Sequence, residues 1–506
     1  MSERKFYEAE SRLNDIRRMH DRMSPGLVDE ITWNDLEMDE VFLEVNHTKS
    51  FVGEQLLYHR LHCDQTGFSD DVAEEISQNN KIRKFLNSKI GLLGKCRENY
   101  YLYEILQDSE MMLLDHGYIF YLLQASLVML GLLTLITQSS YFLAALGVNV
   151  AVNFTIYFMV KQKYEIYINT LISFKGIYTV TKQLEKNPDI RKYVTDKERK
   201  ALKNLKRVNR ILVGVIARRR FTIAGDVSSL LTDYLYGVLL YDIAIYNIVI
   251  KKLAKQKEDV SVLMGLIGRL DIALSVAEYR EGCKYWCKPL ESDYPEMKNM
   301  AHPLLESLVG NDFSLENKVI ITGPNAAGKS TFMKAVAINA ILGQAIRTCI
   351  ATEFAMPKMK IMTCMALRDD VQSGESYYYR EANYIKRIID EVRDCEEPLL
   401  IVIDEILKGT NTKERIAASK AILEFLSDKK VYLLLATHDV ELTRIDGYDN
   451  YHFDSKIESD EIFFDYKIHL GISSSKNAIA LLEYLKYPIE IIKNARSYVD
   501  ENRRSV

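Results

Sequence analysis

Val319-Ile320-Ile321-Thr322-Gly323-Pro324-Asn325-Ala326-Ala327-Gly328-Lys329-Ser330-Thr331 decides how the C-terminal part of this chain folds. The first four residues are a short apolar run, the pattern of a buried strand. The residues that follow, through Ile341, read as a helix. Between them lies the spacing GxxxxGK[ST]. A strand, such a loop and a helix together form an anion nest, because backbone N–H groups and the positive end of the helix point at one spot. The loop Gly323, Pro324, Asn325, Ala326, Ala327, Gly328, Lys329, Ser330 and Thr331 is therefore predicted to bind the phosphates of ATP (a Walker A loop). Lys329 is expected to reach the β and γ phosphates, and the Ser330 hydroxyl to ligate Mg²⁺.

Two further apolar runs complete such a site. Pro398-Leu399-Leu400-Ile401-Val402-Ile403 ends in Asp404-Glu405. The first carboxylate suits the Mg²⁺ shell, and the second suits a general base that polarises the attacking water. Val431-Tyr432-Leu433-Leu434-Leu435-Ala436 ends in Thr437-His438. A histidine at the carboxyl end of a parallel strand faces the ligand crevice, so His438 is expected at the γ-phosphate. Ser373-Gly374-Glu375-Ser376 is a hydroxyl- and Gly-rich turn that on chemistry alone is either a phosphate contact or only a turn.

Around these motifs the composition is that of an ordinary folded protein. The 506 residues are 48% hydrophobic and 27% charged, with a net charge of −4, which excludes a disordered or globally basic chain. Gly and Pro number only 23 and 9, so long helices are expected and a turn-rich β-sandwich is not. The seven cysteines are scattered, and only Cys283 and Cys287 are close, so they read as free thiols rather than a zinc set or a disulfide frame. The start, MSERKFYEAESRLNDIRR, is charged and carries no secretory h-region.

One stretch departs from this average. From Gly117 to Val160 there is no Asp, Glu, Lys, Arg or His. A bilayer-spanning helix needs roughly 20 apolar residues. The gap has room for two, Ile119–Ile136 with eleven Leu, Ile, Val or Phe residues and Tyr141–Val160 with ten. Asn149 and Asn153 share a face of the second and can hydrogen-bond across helices. Lys161 and Lys163 follow at once, and Arg191–Arg220 carries twelve Lys/Arg against two Asp/Glu, a bias that marks the cytoplasmic side. The expectation is a two-span membrane hairpin with the rest of the chain, including the ATP site, cytoplasmic. The alternative is a pair of helices buried in a large helical core.

The motifs, in this order, resemble the MutS family of ABC-type ATPases of DNA mismatch repair. The resemblance rests on Thr322-Gly323-Pro324-Asn325 through Lys329-Ser330-Thr331, where the family reads TGPNxxGKST. It continues with Asp369-Asp370, Ser373–Ser376, Glu381, Asp404-Glu405-Ile406, Gly409-Thr410-Asn411-Thr412, Ala436-Thr437-His438 and Glu441-Leu442. His302-Pro303, Asn311-Asp312, Tyr466-Lys467 and Gly471–Ala478 also fit, so it covers about residues 295–490. It implies a homodimer in which each ATP site is completed by the other subunit. Ser376 would touch the γ-phosphate bound opposite, Asn411 and Thr412 would lie near the seam, and His438 would be the switch histidine. Thr48–Leu57 and Val262–Ala277 look weakly like the family's core and lever helices.

There are departures. Ala326-Ala327 replaces a Met-Gly pair and Tyr377-Tyr378-Tyr379 a Thr-Phe-hydrophobic run. No room for a mismatch-reading domain precedes the core helices. Phe6-Tyr7-Glu8 and Phe42-Leu43-Glu44 match the family's Phe-x-Glu reader only as chance tripeptides.

The expected architecture is α + α/β. It comprises a helical core region (1–116), the transmembrane hairpin (117–160), a helical core and lever region (161–297) and a MutS-like P-loop ATPase domain (298–506). The expected function is an ATPase that closes as a dimer on ATP and acts on DNA from the membrane. Catalysis would rest on Lys329, Glu405 and His438, with Mg²⁺ on Ser330 and Asp404. Lys203, Lys206, Arg207, Arg210, Arg218, Arg219 and Arg220 would contact DNA phosphates, or equally lipid headgroups or only solvent. The rival function is a membrane ATPase that moves a protein or lipid partner without binding DNA.

Overall fold

The computed structural model describes residues 8–23, 26–62, 68–108, 117–222, 237–324, 327–365, 377–394, 397–458, 461–472, 482 and 486–504. The fold is α+β and divides into two compact units. One comprises residues 1–24, 45–59 and 69–279, and the other 25–44, 60–68 and 280–506. The second unit thus takes in two segments of the N-terminal helical region as well as the C-terminal domain.

The described part of the first unit is built of helices. Phe51–His62 (α1) is followed, after shorter helices, by Tyr118–Thr137 (α2), Ser140–Lys186 (α3), Asp196–Thr222 (α4), Tyr241–Ala254 (α5) and Lys257–Gly282 (α6). The 47-residue α3 holds no proline. It stops at Lys186 because Pro188 forces the preceding Asn187 into extended backbone, at ψ 123°. α4 starts at a capping box, in which the Glu198 carboxylate accepts from the Thr195 N–H at 2.8 Å and from the Thr195 hydroxyl. α3 packs on α2, α4 and α5.

α1 is fastened to α6 by a buried carboxylate. Asp271 accepts from the N–H groups of Lys49 and Ser50 at 2.8 and 2.9 Å and from the Ser50 hydroxyl at 2.6 Å, which caps the start of α1. Burial raises the Asp271 pKa to about 6. Gly53 makes room for it, since a Cβ there would lie 2.1 Å from Asp271 Oδ2 and 2.9 Å from its Cβ. The short, buried Asp271 side chain cannot swing aside without losing its donors. Gly53→Ala is therefore expected to destabilise this unit by about 1–3 kcal/mol, read as a lower urea midpoint in far-UV circular dichroism. An unchanged midpoint would show that the clasp does not matter.

α2 and α3 form a hairpin turned by Gln138 at φ 49°. Among the described residues three helices are long and apolar enough to cross a membrane, by length and composition, and they differ sharply in burial. Ser140–Val160 and Lys257–Gly282 have the same mean hydropathy, 1.8, yet 11% of the first window and 78% of the second are buried. Tyr118–Thr137 is more apolar still, at 2.2, and only 6% of its window is buried. The α2–α3 hairpin is thus not a buried core pair within this chain. Asn149 Nδ2 does bond across helices, to Ser126 Oγ at 2.7 Å. Asn153 Nδ2 bonds instead to the Val238 carbonyl at 2.7 Å.

In the second unit strands begin at Leu290, a few residues earlier than the composition shift near Tyr294. A four-stranded sheet has the order β1-β5-β2-β3, with β1 Leu290–Glu291, β2 Glu296–Met300, β3 Asn311–Ser314 and β5 Glu353–Met356. A six-stranded sheet comprises β4 (Lys318–Thr322), β6 (Lys360–Cys364), β7 (Leu399–Asp404), β8 (Val431–Ala436), β9 (Tyr448–Phe453) and β12 (Ile468–Leu470), in the order β12-β9-β4-β8-β7-β6. β10 (Lys456–Glu458) and β11 (Glu461–Phe463) form a separate hairpin. In the large sheet every pairing is parallel except that of β12 with β9. Its central strands are buried on both faces, which is why they read as unbroken apolar runs rather than alternating ones. Leu399, Ile401, Ile403, Leu433 and Leu435 pack there against Leu423 and Leu426. The helices Lys329–Ile346 (α7), Tyr377–Asp394 (α8) and Thr412–Ser427 (α9) belong to the same unit.

Candidate nucleotide site

Register brings the three motif-bearing strand ends together. Ile321 pairs with Ala436, and Asp404 pairs with Ala436 on the other side, so β4, β8 and β7 end side by side. Ligands of parallel sheets bind outside such carboxyl ends.

The loop after β4 leads into α7 with Gly328 at φ 101° as the residue before its first turn. Gly323 also has positive φ, 135°, and a Cβ there would meet the Phe453 carbonyl at 2.4 Å. Both glycines are thus dictated by backbone and space. Lys329, the first residue of α7, is 4% exposed and donates to the carbonyls of Gly323 and Pro324 at 2.7 and 2.9 Å. Burial pulls its ammonium below the ordinary lysine value, against Asp404 and Glu405, which hold it up. Ala327 is buried and Thr331 exposed. Asn325 and Ala326 lie outside the described residues, as do Asp369-Asp370 and Ser373–Ser376, so Ser376 has no place in this geometry.

Ser330 Oγ donates to Asp404 Oδ2 at 2.6 Å, which sets a hydroxyl and a carboxylate together as a hard oxygen pair. Glu405 is turned back by a left-handed φ of 65°, with its N–H on the Ala436 carbonyl at 2.9 Å. Its carboxylate lies 3.2 Å from His438 Nε2 and 3.9 Å from Lys408 Nζ. Burial lowers the His438 pKa, and Lys329 lowers it further, so the ring is neutral at neutral pH and able to share a proton with Glu405. Asp439, next in the chain, is gripped by Arg415 of α9 through two bonds of 2.7 and 3.0 Å.

Lys329, Ser330, Asp404, Glu405 and Lys408 border a cavity of about 650 Å³, which His302 and Tyr466 also line, while His438 stands behind Glu405 and outside the lining. Burial drops the His302 pKa to about 4, so it is a neutral wall. Asn311 holds Tyr466 at the rim by using both ends of its amide. Nδ2 donates to the Tyr466 carbonyl at 3.1 Å, and Oδ1 accepts from the Ile468 N–H at 2.9 Å. A buried cation that among the described residues bonds its own loop carbonyls, an oxygen pair beside it and this volume fit a nucleotide triphosphate and a divalent cation. The Asn411 side chain, by contrast, caps α9 by accepting from the Glu414 N–H at 3.0 Å, and Asn411 and Thr412 are exposed.

Two residues here had no chemistry visible in the sequence. Lys408 looks like a surface lysine until Glu405 and Leu407, at φ 65° and 57°, fold its loop back on the site. Glu381, 1% exposed on α8, accepts from the N–H groups of Lys408 and Gly409 at 2.8 and 3.2 Å. It thereby holds the loop that follows Glu405, and α8 begins one residue after Ser376. Glu381→Ala would leave two backbone donors without their acceptor. A shift of about 1 Å in a site can cost about 10²-fold, so kcat for ATP is expected to fall about 10- to 100-fold, with KM within about threefold. Glu381→Gln should restore part of the rate, and an equal loss in both variants would assign Glu381 to stability alone.

Of the expected DNA contacts, Lys203, Lys206, Arg207 and Arg210 are exposed on α4, while for Arg218, Arg219 and Arg220 only the helical backbone is described. Phe42, of the second Phe-x-Glu tripeptide, is fully buried in the helix Met38–Val45 and cannot read a base. Phe6 lies outside the described residues.

Residues 319–502 match the family model of MutS domain V. MutS protein homolog 4 of Mus musculus is 31% identical over 285 residues, which is 52% of this chain and 29% of that protein. The DNA mismatch repair protein MutS of Caldicellulosiruptor saccharolyticus is 32% identical over 264 residues, 48% of this chain and 30% of its own length. The chain thus covers about three-tenths of the curated relatives it matches, and the match falls on the ATPase-type domain. Residues 319–502, which carry the Gly323–Thr331 loop, Asp404-Glu405 and Thr437-His438, are thus similar to MutS domain V.

Proposed function

We propose that this chain is a Mg²⁺-dependent ATPase that dimerises on ATP, is held at a membrane by the α2–α3 hairpin, and acts on DNA in a process related to mismatch repair. The observation that carries the ATPase reading is the convergence of Lys329, Ser330, Asp404 and Glu405 on one cavity, with His438 3.2 Å from the Glu405 carboxylate. In this reading Lys329 leaves the Gly323 and Pro324 carbonyls for the triphosphate, and Ser330 and Asp404 hold the cation. A bound Mg²⁺ would supply charge neutralisation at the phosphates. Glu405 orients and deprotonates the attacking water, and neutral His438 steadies its carboxylate. The relatives' names support action on DNA, and the resemblance supports a site shared between two copies with Ser376 reaching across.

The hairpin supports membrane attachment. Two apolar spans without a charged residue, of which only 6% and 11% are buried, would leave an apolar surface that water penalises and lipid does not. That surface also favours a second reading, in which dimer closure moves a protein or lipid partner and DNA is not bound. The two separate in one assay on detergent-solubilised protein with duplex, mismatched and branched DNA. The DNA reading expects binding at low salt that weakens steeply as salt rises. Replacing Arg218, Arg219 and Arg220 with Glu should reduce the salt slope by about 0.9 for each phosphate that is no longer neutralised. If the unmodified protein binds none of these DNAs at low salt, the second reading takes its place.

A further inference from the structure

Inside a bilayer every backbone N–H and C=O must find a partner within the protein, and irregular backbone is tolerated there only when it does. The turn Gly237–Leu240 meets this requirement in an unusual way. Gly237–Leu239 are the last residues of a helical segment that ends at Leu240, whose N–H bonds the Gly237 carbonyl at 3.2 Å, so Val238 and Leu239 stand at a helix end, where the final carbonyls lack intrahelical donors. Leu240 then adopts φ 48°, and α5 begins at Tyr241.

Both carbonyls are taken by side-chain amides of the hairpin. Gln124 Nε2 of α2 donates to the Leu239 carbonyl at 2.7 Å. Asn153 Nδ2 of α3 donates to the Val238 carbonyl at 2.7 Å. Asn153 is fully buried, and Gly237 lies against Tyr157, whose ring a Cβ would meet at 3.1 Å.

The depths agree. Gln124 stands seven residues inside the charge-free segment from Gly117, and Asn153 seven residues inside it from Val160. At 1.5 Å per residue both amides sit about 10 Å in from the base of the hairpin. An amide in apolar surroundings is retained where it has a specific acceptor. Here two of them, on different helices at one depth, share a single turn.

We propose that Gly237–Leu240 is a third intramembrane element, a re-entrant turn clasped by Gln124 and Asn153, and that its surroundings are the acyl chains of the bilayer. The proposal rests on the hairpin being inserted. α5 then climbs back to the surface. Lys251 and Lys252, in its last turn, lie about 17 Å along the axis from the turn, where ammonium groups reach the headgroups.

The test uses the full chain in phosphatidylcholine vesicles whose acyl chains carry bromine, with bimane attached to a single added cysteine and the signal of the unmodified chain subtracted. Positions are Met129→Cys in mid-hairpin, Val238→Cys in the turn and Lys255→Cys beyond α5. Leu239→Cys repeats the turn position in case Val238→Cys disturbs packing. The proposal expects the bromines to quench the turn and Met129→Cys alike, by at least about twofold, and to spare Lys255→Cys. Adding Gln124→Leu and Asn153→Leu should return the turn to the Lys255→Cys level. If Met129→Cys is quenched and both turn positions are not, the turn lies outside the lipid and the proposal fails while the hairpin stands. If Met129→Cys is not quenched, insertion itself is wrong.

Discussion

Lys329→Ala is expected to reduce ATP turnover to background, a loss of at least about 10³-fold, while the far-UV circular dichroism spectrum stays unchanged. Removing one preorganised donor from a site that stabilises developing charge costs about 10²–10³-fold. Lys329 contributes a full positive charge as well, in a largely buried position where screening by water is weak. The fold should survive, because burial lowers the Lys329 pKa and so its charge is not a source of stability. What the lysine does for the loop, two bonds to the carbonyls of Gly323 and Pro324, is local. Steady-state phosphate release measures the effect. A mutant that keeps the unmodified rate would remove Lys329 from the phosphates, and with it the assignment of the loop.

Glu405→Gln has a different expected signature. The substitution keeps the size of the side chain and an oxygen that can face His438 at the observed 3.2 Å, but it removes the basicity needed to take a proton from water. Hydrolysis should fall by about 10²–10⁴-fold, the usual contribution of a positioned base. ATP binding should persist, because Lys329, Ser330 and Asp404 are untouched. Equilibrium binding of a fluorescent ATP analogue checks the second half. A mutant that loses binding and hydrolysis together would place Glu405 in the ligand shell rather than at the water.

Legibility in the sequence followed burial. β7 was readable because Leu399–Ile403 is covered on both faces, so nothing interrupts the apolar run. The carboxylates that end it were readable for the same reason, since they stand where burial stops. What pairs beside what was not readable. The Asp404–Ala436 and Ile321–Ala436 registers depend on packing across the sheet, and no local pattern encodes them. The left-handed turns at Glu405 and Leu407 carry no glycine to announce them, so Lys408 stayed hidden. Glu381 lies 27 residues from the backbone it holds, and its burial is a tertiary fact.

The hairpin shows the same division. A charge-free stretch is a property of composition and can be counted along the chain. The clasp on Gly237–Leu240 cannot, because its two donors stand 115 and 85 residues away from the carbonyls they meet. Asn149 and Asn153 looked equivalent on one helix face, yet one bonds Ser126 within the hairpin and the other reaches the turn.

The proposed ATPase has its site shared between two copies of the chain. Sedimentation velocity of the purified Glu405→Gln protein in detergent, with and without Mg²⁺-ATP, tests it most directly. A site completed across an interface should trap the slow mutant as a closed dimer, so the protein mass should double when nucleotide is added and fall back when it is removed. A protein that binds ATP and stays monomeric would contradict the shared site.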